Sequence, residues 1–177
     1  MNLDTSRMLI RQLDLADASD LFSFFSDEEV VKYAVGYPHS SISESIDYIE
    51  SLFDSYDQGG ASIWGVVDKL SSSMIGTIGF ELFFPQHHRA EVGFTFAKPY
   101  WGKGMATEAL HAIVHYGFTE LDLNRIEATS QPSNFASQRV LEKVGFSNEG
   151  LLSEYICSRE QYFDVFVYGL TRSVYLA

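Results

Sequence analysis

Glu91-Val92-Gly93-Phe94-Thr95-Phe96-Ala97-Lys98-Pro99-Tyr100-Trp101-Gly102-Lys103-Gly104-Met105-Ala106-Thr107-Glu108-Ala109-Leu110 is the stretch that decides how this chain folds. Its first seven residues alternate, with Val92, Phe94 and Phe96 on one face and Glu91, Gly93 and Thr95 on the other, which is the period of a β-strand. Lys98-Pro99-Tyr100 turns the chain. From Met105 onward, Ala109, Ala112, Ile113 and Tyr116 recur at helical spacing. Gly102 and Gly104 stand between strand and helix. Glycine lets backbone N–H groups come close to a ligand, and the first N–H groups of a helix are unpaired donors that favour an anion. The segment predicts a strand–loop–helix phosphate cradle with Lys103 at its rim. Two nucleotide patterns fail on it: no Gly-Lys-Ser/Thr follows a four-residue gap, and Thr107 stands where the dinucleotide fingerprint needs its third glycine. Taken alone, a Gly-x-Gly turn before a helix is weak, and a plain tight turn is the better reading.

Outward from this segment the chain reads as strands and helices in turn. Met8-Leu9-Ile10-Arg11-Gln12-Leu13 alternates as a short strand. Asp14 caps a helix whose stripe is Leu15, Ala18, Leu21, Phe22 and Phe25. A second helix starts after Pro38 with the capping-box pattern Ser41-Ile42-Ser43-Glu44. Its stripe is Ile46, Ile49, Phe53 and Tyr56, and Gly59-Gly60 ends it. Residues 62–68 and 74–84 read as strands joined by a turn. Beyond the central helix come a strand at 125–130, a helix at 134–144 stopped by Gly145-Phe146, and closing strands near 151–157 and 161–170. No linker, repeat or low-complexity segment interrupts this order. It predicts one mixed α/β domain over residues 1–177.

Composition narrows the function. A net charge of −12 argues against general nucleic-acid binding, which needs a basic face. It suits a cationic partner such as an amine or a basic protein tail, or serves solubility alone. A polyanionic cofactor must then be held by local geometry. No apolar run approaches the roughly 18–20 residues that span a bilayer. The start Met1-Asn2-Leu3-Asp4-Thr5 lacks the basic and apolar stretches of a secretory signal. Cys157 is the single cysteine, so no internal disulfide forms, and a cytoplasmic location is expected.

Pro-Tyr-Trp-Gly-Lys-Gly-Met-Ala-Thr-Glu-Ala-Leu, with Gly104-x-Ala106 inside it, resembles the acetyl-CoA motif of the GNAT N-acetyltransferase superfamily. Downstream, Asn134-Phe-Ala-Ser137-Gln-Arg-Val-Leu-Glu-Lys-Val-Gly145-Phe146 resembles its second motif, in matching order and separation. The resemblance runs from Arg11 to Tyr162-x-Asp164, nearly the whole chain. It is strongest to the RimJ/RimL-type branch, ribosomal-protein N-terminal acetyltransferases and their relatives. Trp101 departs from the Gln or Arg of many superfamily members, but Tyr-Trp-Gly-Lys-Gly is usual in this branch. The resemblance implies a central, mostly antiparallel, twisted sheet of about six to seven strands with a splayed parallel pair, flanked by about four helices. It also implies acetyl transfer from acetyl-CoA to a primary amine by direct attack, the acceptor being the N-terminal α-amine of a ribosomal or other protein. A homodimer is compatible with the family.

The same resemblance implies roles for single residues. Backbone groups near Phe94, Thr95 and Phe96 pair with the pantetheine arm. The loop Trp101, Gly102, Lys103, Gly104, Met105, Ala106 and Thr107 holds the pyrophosphate. Many members place a Tyr general acid before the Glu-Lys-x-Gly-Phe segment, where this chain has Leu141, which donates no proton. Ser137, three residues after Asn134, is the replacement donor, or else a mid-helix serine bonding its own backbone. A thiolate leaving group demands little protonation. Asn134 caps its helix, contacts the pantetheine, or both. Arg139 reaches the phosphates or lies in solvent. Glu91 is the base, taking the amine proton through a water or holding the ammonium, unless it is a structural carboxylate paired to a basic residue. Glu154 is a weaker candidate, and Tyr162 and Asp164 line the acceptor pocket or pack beside it. The segment 35–43 decides between an open groove for a protein N-terminus and a closed acidic pocket for a small amine such as a polyamine, amino acid or drug. Leu141 keeps a third reading open, a catalytically idle acyl-CoA-binding module.

Other signals carry less. His111 and His115 have a metal-compatible spacing on the central helix but no third ligand placed beside them, so no metal is expected. His87-His88 reads as a polar loop before Glu91 or as a substrate contact, the loop being the safer reading, and Cys157 as a strand residue without a His partner. The cluster Phe22, Phe24, Phe25 and Tyr33 either shapes the acceptor side or packs, and most of it should be core.

Overall fold

The computed structural model describes residues 2–58 and 62–177. The helix stop expected at Gly59-Gly60 and the first residue of the N-terminus lie outside them. In chain order the elements are β1 (Asn2–Asp4), β2 (Met8–Arg11), α1 (Ala18–Phe25), α2 (Ile42–Gln58), β3 (Ile63–Asp68), β4 (Met74–Phe84), β5 (Arg89–Phe96), α3 (Met105–Thr119), β6 (Arg125–Ser130), α4 (Phe135–Val144), β7 (Ser147–Ser158), β8 (Gln161–Thr171) and α5 (Arg172–Tyr175). The strands form one sheet in the order β1-β2-β3-β4-β5-β6-β8-β7. Every neighbouring pair is antiparallel except β5 and β6.

Among the described residues this makes eight strands and five helices, one of each more than the strand–helix order predicted. The additions are β1, which pairs with β2 through Leu3 opposite Ile10, and the single turn α5. Both are too short for periodicity to reveal. Two amphipathic stripes also differ in detail. In α1 the buried residues are Ala18, Leu21 and Phe24, while Leu15 is exposed and Phe22 half-buried. Leu15 belongs to a separate 3-10 turn, Leu15–Asp17, capped by Asp14, and that turn shifts the phase of the helix behind it. In α2, Ser45 and Ile49 are buried and Phe53 is exposed.

The main core packs Ala109, Leu110, Ile113, Val114 and Phe118 of α3 against Ile78, Phe80, Val92 and Ile126 of the sheet, with Leu141 and Val144 of α4. Each fully buried Leu or Ile there contributes roughly 1.5–3 kcal/mol. A second cluster joins Leu13, Leu21, Phe24 and Met74 to Ile49 of α2.

One topological feature positions the site. β5 and β6 pair at only three positions, Arg89 with Arg125, Ala90 with Ile126 and Glu91 with Glu127. Beyond them β5 continues against β4 as far as Phe96, and β6 continues against β8 as far as Ser130, so the two strands part. The paired end is fastened by charge. Glu127 accepts from Arg89 Nη1 and from Arg125 Nε, both at 2.6 Å, and Arg125 Nη1 reaches Glu149 Oε1 at 2.9 Å. The splayed parallel pair implied by the motifs is therefore present, pinned at one end and open at the other.

Candidate active site

A cleft of about 850 Å³ occupies the gap between the parted strands. One wall is the glycine loop. Gly102 and Gly104 have φ of +69° and +76°, a conformation that side chains disfavour, and this turns the loop so that α3 starts at Met105. The first bond closing onto the helix runs from Glu108 N–H to the Gly104 carbonyl at 3.0 Å. No backbone carbonyl among the described residues accepts from the N–H groups of Gly102 to Thr107. These are free donors at the positive end of a helix.

The loop is held on both flanks. Trp101 Nε1 donates to the Phe96 carbonyl at 2.6 Å, folding the loop back on the end of β5. From the β1–β2 turn, Arg7 Nη1 donates to the Lys103 carbonyl at 2.9 Å and Arg7 Nε to Glu108 Oε2 at 2.6 Å. The Arg7 N–H and the Ser6 hydroxyl donate to Glu108 Oε1. Burial pushes the Glu108 carboxyl up, but the hydrogen bonds from Thr5, Arg7 and Ser6 outweigh it and bring its pKa down to about 2. Neither Arg7 nor Glu108 was picked out by motif spacing, because their partnership spans about a hundred residues of chain.

The second wall is the exposed edge of β5. Ala97 N–H bonds to the Ile75 carbonyl on the β4 side, so by strand alternation Val92, Phe94 and Phe96 turn their backbone groups toward the gap. Thr95 lines the cleft, and its backbone faces β4. Facing this edge is α4. Asn134 Oδ1 accepts from the Ser137 N–H at 3.2 Å and so caps the helix. The Ser137 hydroxyl lines the cleft and makes no hydrogen bond to its helix backbone or to any other group among the described residues. Leu141 is buried in the main core and does not reach the cleft, which explains a leucine there. Arg139 and Lys143, one helical turn apart, line the same side. Lys143 was not anticipated, although its spacing from Arg139 was a signal. Free amides at a helix start, an unpaired strand edge and two cations fit an elongated thioester carrying phosphates.

The far end of the cleft is acidic and aromatic. Glu91 is half-buried and its Oε1 accepts from Thr129 Oγ1 at 2.8 Å; no basic side chain pairs with it among the described residues. Glu81 from β4 lies beside it, with Phe25, His39 and Tyr48 completing that end. A strap of residues 29–37 crosses above. It is tied by Tyr33 Oη to the Ser133 carbonyl at 3.1 Å, by Arg159 Nε to the Gly36 carbonyl at 2.7 Å, and by the Glu29–Lys98 ion pair. Glu81, Tyr48 and residues 29–32 of the strap were not legible as site residues, because tertiary packing alone brings them together, whereas residues 35–37 belong to the segment expected to shape the acceptor side.

Several expected residues sit elsewhere. Lys103 does not line the cleft; its ammonium lies 5.7 Å from the Tyr100 ring centroid. Glu154, Tyr162 and Asp164 are also outside the cleft, and Asp164 Oδ1 accepts from the Glu154 N–H at 2.8 Å to stabilise an irregular step in the β7–β8 hairpin. His88 Nδ1 lies 3.0 Å from the Asp122 carbonyl and anchors the loop before β5, while His115 bonds Tyr175 Oη at 2.9 Å. Cys157 is exposed on β7.

Comparison with known proteins agrees with this geometry. The family model of the acetyltransferase (GNAT) domain matches residues 7–147. The uncharacterized N-acetyltransferase p20 of Bacillus licheniformis is 36% identical over 173 residues, covering 98% of this chain and 97% of the relative. The crystal structure of a GNAT-family acetyltransferase from Bacillus anthracis superposes with a TM-score of 0.87 at 29% identity, covering 98% of this chain and 99% of that one. Two more distant structures share the fold. RimL, a ribosomal alpha-N-protein acetyltransferase in complex with coenzyme A, has a TM-score of 0.86 at 19% identity over 97% of this chain and 98% of its own. Spermidine N-acetyltransferase from Vibrio cholerae, in complex with coenzyme A and spermine, has a TM-score of 0.81 at 24% identity over 97% and 99%. With its splayed strands, its amide cradle and a matching model over most of its length, the chain belongs to the GNAT family and is an acetyl-CoA-dependent N-acetyltransferase.

Proposed function

We propose that residues 1–177 act as a single catalytic domain that acetylates the N-terminal α-amine of a ribosomal or other protein in the cytoplasm. The observation that supports this acceptor is the open rim of the acidic end, where Val35 and Tyr37 of the strap are 71% and 70% exposed. Such a rim leaves room for a polypeptide leading away from its amine. A specific observation favours a second reading, a polyamine acceptor. Glu81 and Glu91 line the cleft without a basic partner among the described residues, and neighbouring carboxylates suit a polycationic amine.

Acetyl-CoA, when bound, supplies the acetyl group as a thioester. The N–H groups of Gly102 to Thr107 hold its pyrophosphate, helped by Arg139 and Lys143. The gap-facing backbone of Phe94 and the N–H of Phe96, whose carbonyl is taken by Trp101, align the pantetheine, with Thr95 and the Asn134 amide beside it. A backbone N–H on this strand edge polarises the thioester carbonyl. Glu91, fixed by Thr129, holds the ammonium of the acceptor and lies on the path of its proton. Ser137 donates a proton to the departing sulfur.

The test is thiol release from acetyl-CoA with a panel of N-terminal peptides and free amines. Turnover confined to peptides is the expected outcome. Turnover confined to polyamines transfers the assignment to the second reading, and acetyl-CoA binding without turnover of any acceptor reduces the chain to an acyl-CoA-binding module.

A further inference from the structure

Glu81 has neither a hydrogen-bond partner nor an ionic partner among the described residues, yet it lies at the acidic end of the cleft. Its position is the product of an irregularity. In the β4–β5 ladder Phe80 faces Val92 and Leu82 faces Glu91, so Glu81 is the extra residue of a bulge. Bulges re-aim side chains. This one lays a carboxylate over Gly93, where an added Cβ would stand 2.0 Å from Glu81 Oε1 and 2.3 Å from its Cδ. Gly93 shares its strand face with Glu91, so the two carboxylates meet where β5 and β6 begin to part.

We infer that Glu81 is the proton acceptor for the incoming amine, while Glu91 holds the ammonium beside it. The inference rests on the acetyltransferase reading and divides the work between two carboxylates. Glu91 accepts a hydroxyl hydrogen bond from Thr129, which fixes its carboxylate in place. Glu81 has no such donor. Its side chain is exposed through the mouth of the cleft, yet the protein around it strips away part of its hydration, and this, together with the neighbouring Glu91 charge, raises its pKa above the ordinary carboxylate value. A base shifted toward neutrality is the more effective proton acceptor there. The ionisable groups facing it are Glu91 from β5, Tyr48 from α2, and Glu29, Lys32 and His39 from the strap and its continuation; β3 contributes only Ile63. Burial and the Glu81 charge push the Tyr48 phenol up, so it stays protonated, and burial lowers the His39 imidazole, whose Nδ1 is engaged with the Ser45 hydroxyl at 2.8 Å.

The step balances as follows. Glu81 takes one proton from the ammonium, and the freed nitrogen lone pair forms the C–N bond to the acetyl carbon. The C–S bond breaks with its electron pair on sulfur, which receives a proton from Ser137. The nitrogen's second proton passes to solvent, as does the one Glu81 carried, and solvent reprotonates Ser137. One proton is released overall.

The experiment measures kcat and KM against pH for the wild type, Glu81→Gln, Glu91→Gln and Gly93→Ala, with thermal unfolding as a check on folding. Gly93→Ala keeps the Glu81 carboxyl but displaces it, at little cost to the fold because the displaced atoms end a flexible side chain. We expect Glu81→Gln and Gly93→Ala each to lower kcat by about a hundredfold, with KM for acetyl-CoA unchanged and the acidic limb of the profile abolished by Glu81→Gln. Glu91→Gln should raise the acceptor KM and move that limb to lower pH, since it removes the charge that holds Glu81 up. Activity of Glu81→Gln within threefold of wild type overturns the inference but leaves the acetyltransferase reading standing, as does loss of the limb in Glu91→Gln alone. A wild type that turns over no amine overturns both.

Discussion

Ser137 occupies the third position of α4 with a hydroxyl that bonds nothing among the described residues, unlike mid-helix serines that back-bond to their own turn. Replacing it with Ala removes the proton donor without disturbing the Asn134 cap, which uses the Ser137 backbone. The expected outcome of Ser137→Ala is a fall in kcat of about tenfold to a hundredfold at unchanged acetyl-CoA affinity, read by stopped thiol-release assays. Unchanged turnover would remove Ser137 from the mechanism. Gly104 makes a second prediction at this scale. Its φ of +76° costs an L side chain about 1 kcal/mol or more, and relaxing that strain would turn the amides away from the cradle. Gly104→Ala should weaken acetyl-CoA binding by about tenfold in titration calorimetry, with a smaller change in thermal midpoint.

At the scale of elements, the clamp from the β1–β2 turn to α3 sets the direction in which the cradle faces. Its carboxylate has a folded pKa of about 2 against an ordinary 4.5. A depressed pKa contributes stability that is fully present above about pH 4.5 and is lost as pH falls toward 2. Glu108→Gln should therefore be less stable than wild type at neutral pH and should lose less stability across that acid range, as chemical denaturation at stepped pH would reveal. Arg7→Ala should act on the same element from the other side and raise the acetyl-CoA KM, because the Lys103 carbonyl loses its donor.

The whole molecule carries a net charge of −12, with cations concentrated where the phosphates are proposed to lie and carboxylates at the amine end. Long-range attraction of a cationic acceptor is screened once the Debye length falls to about 8 Å near physiological salt. Raising salt should increase the acceptor KM while leaving the acetyl-CoA KM level or lower, since the general field repels that polyanion. Steady-state kinetics in a salt series checks this. Equal salt responses for the two substrates would mean that the charge serves solubility alone.

Much of the molecule was legible from local pattern. The alternation from Glu91 to Phe96, the glycines of the loop and the cap at Asn134 fix their own backbone conformations through short-range sterics and hydrogen bonding. They also placed two family motifs in order, so the sheet, the splay and the acetyl donor followed. Ser137 was named because it falls inside the second motif, and Glu91 because strand alternation puts it on the face opposite Val92, Phe94 and Phe96. Tertiary structure alone decided the rest. The bulge that turns Glu81 over Gly93 depends on the register of two strands, the Arg7–Glu108 clamp joins residues about a hundred positions apart, and the strap reaches the cleft only because Ser133, Lys98 and Arg159 hold it there. Contacts of that range are set by global packing and leave no periodic trace in the chain. The sequence alone therefore determined the donor side of this enzyme, whereas its acceptor side exists only once the sheet has closed around it.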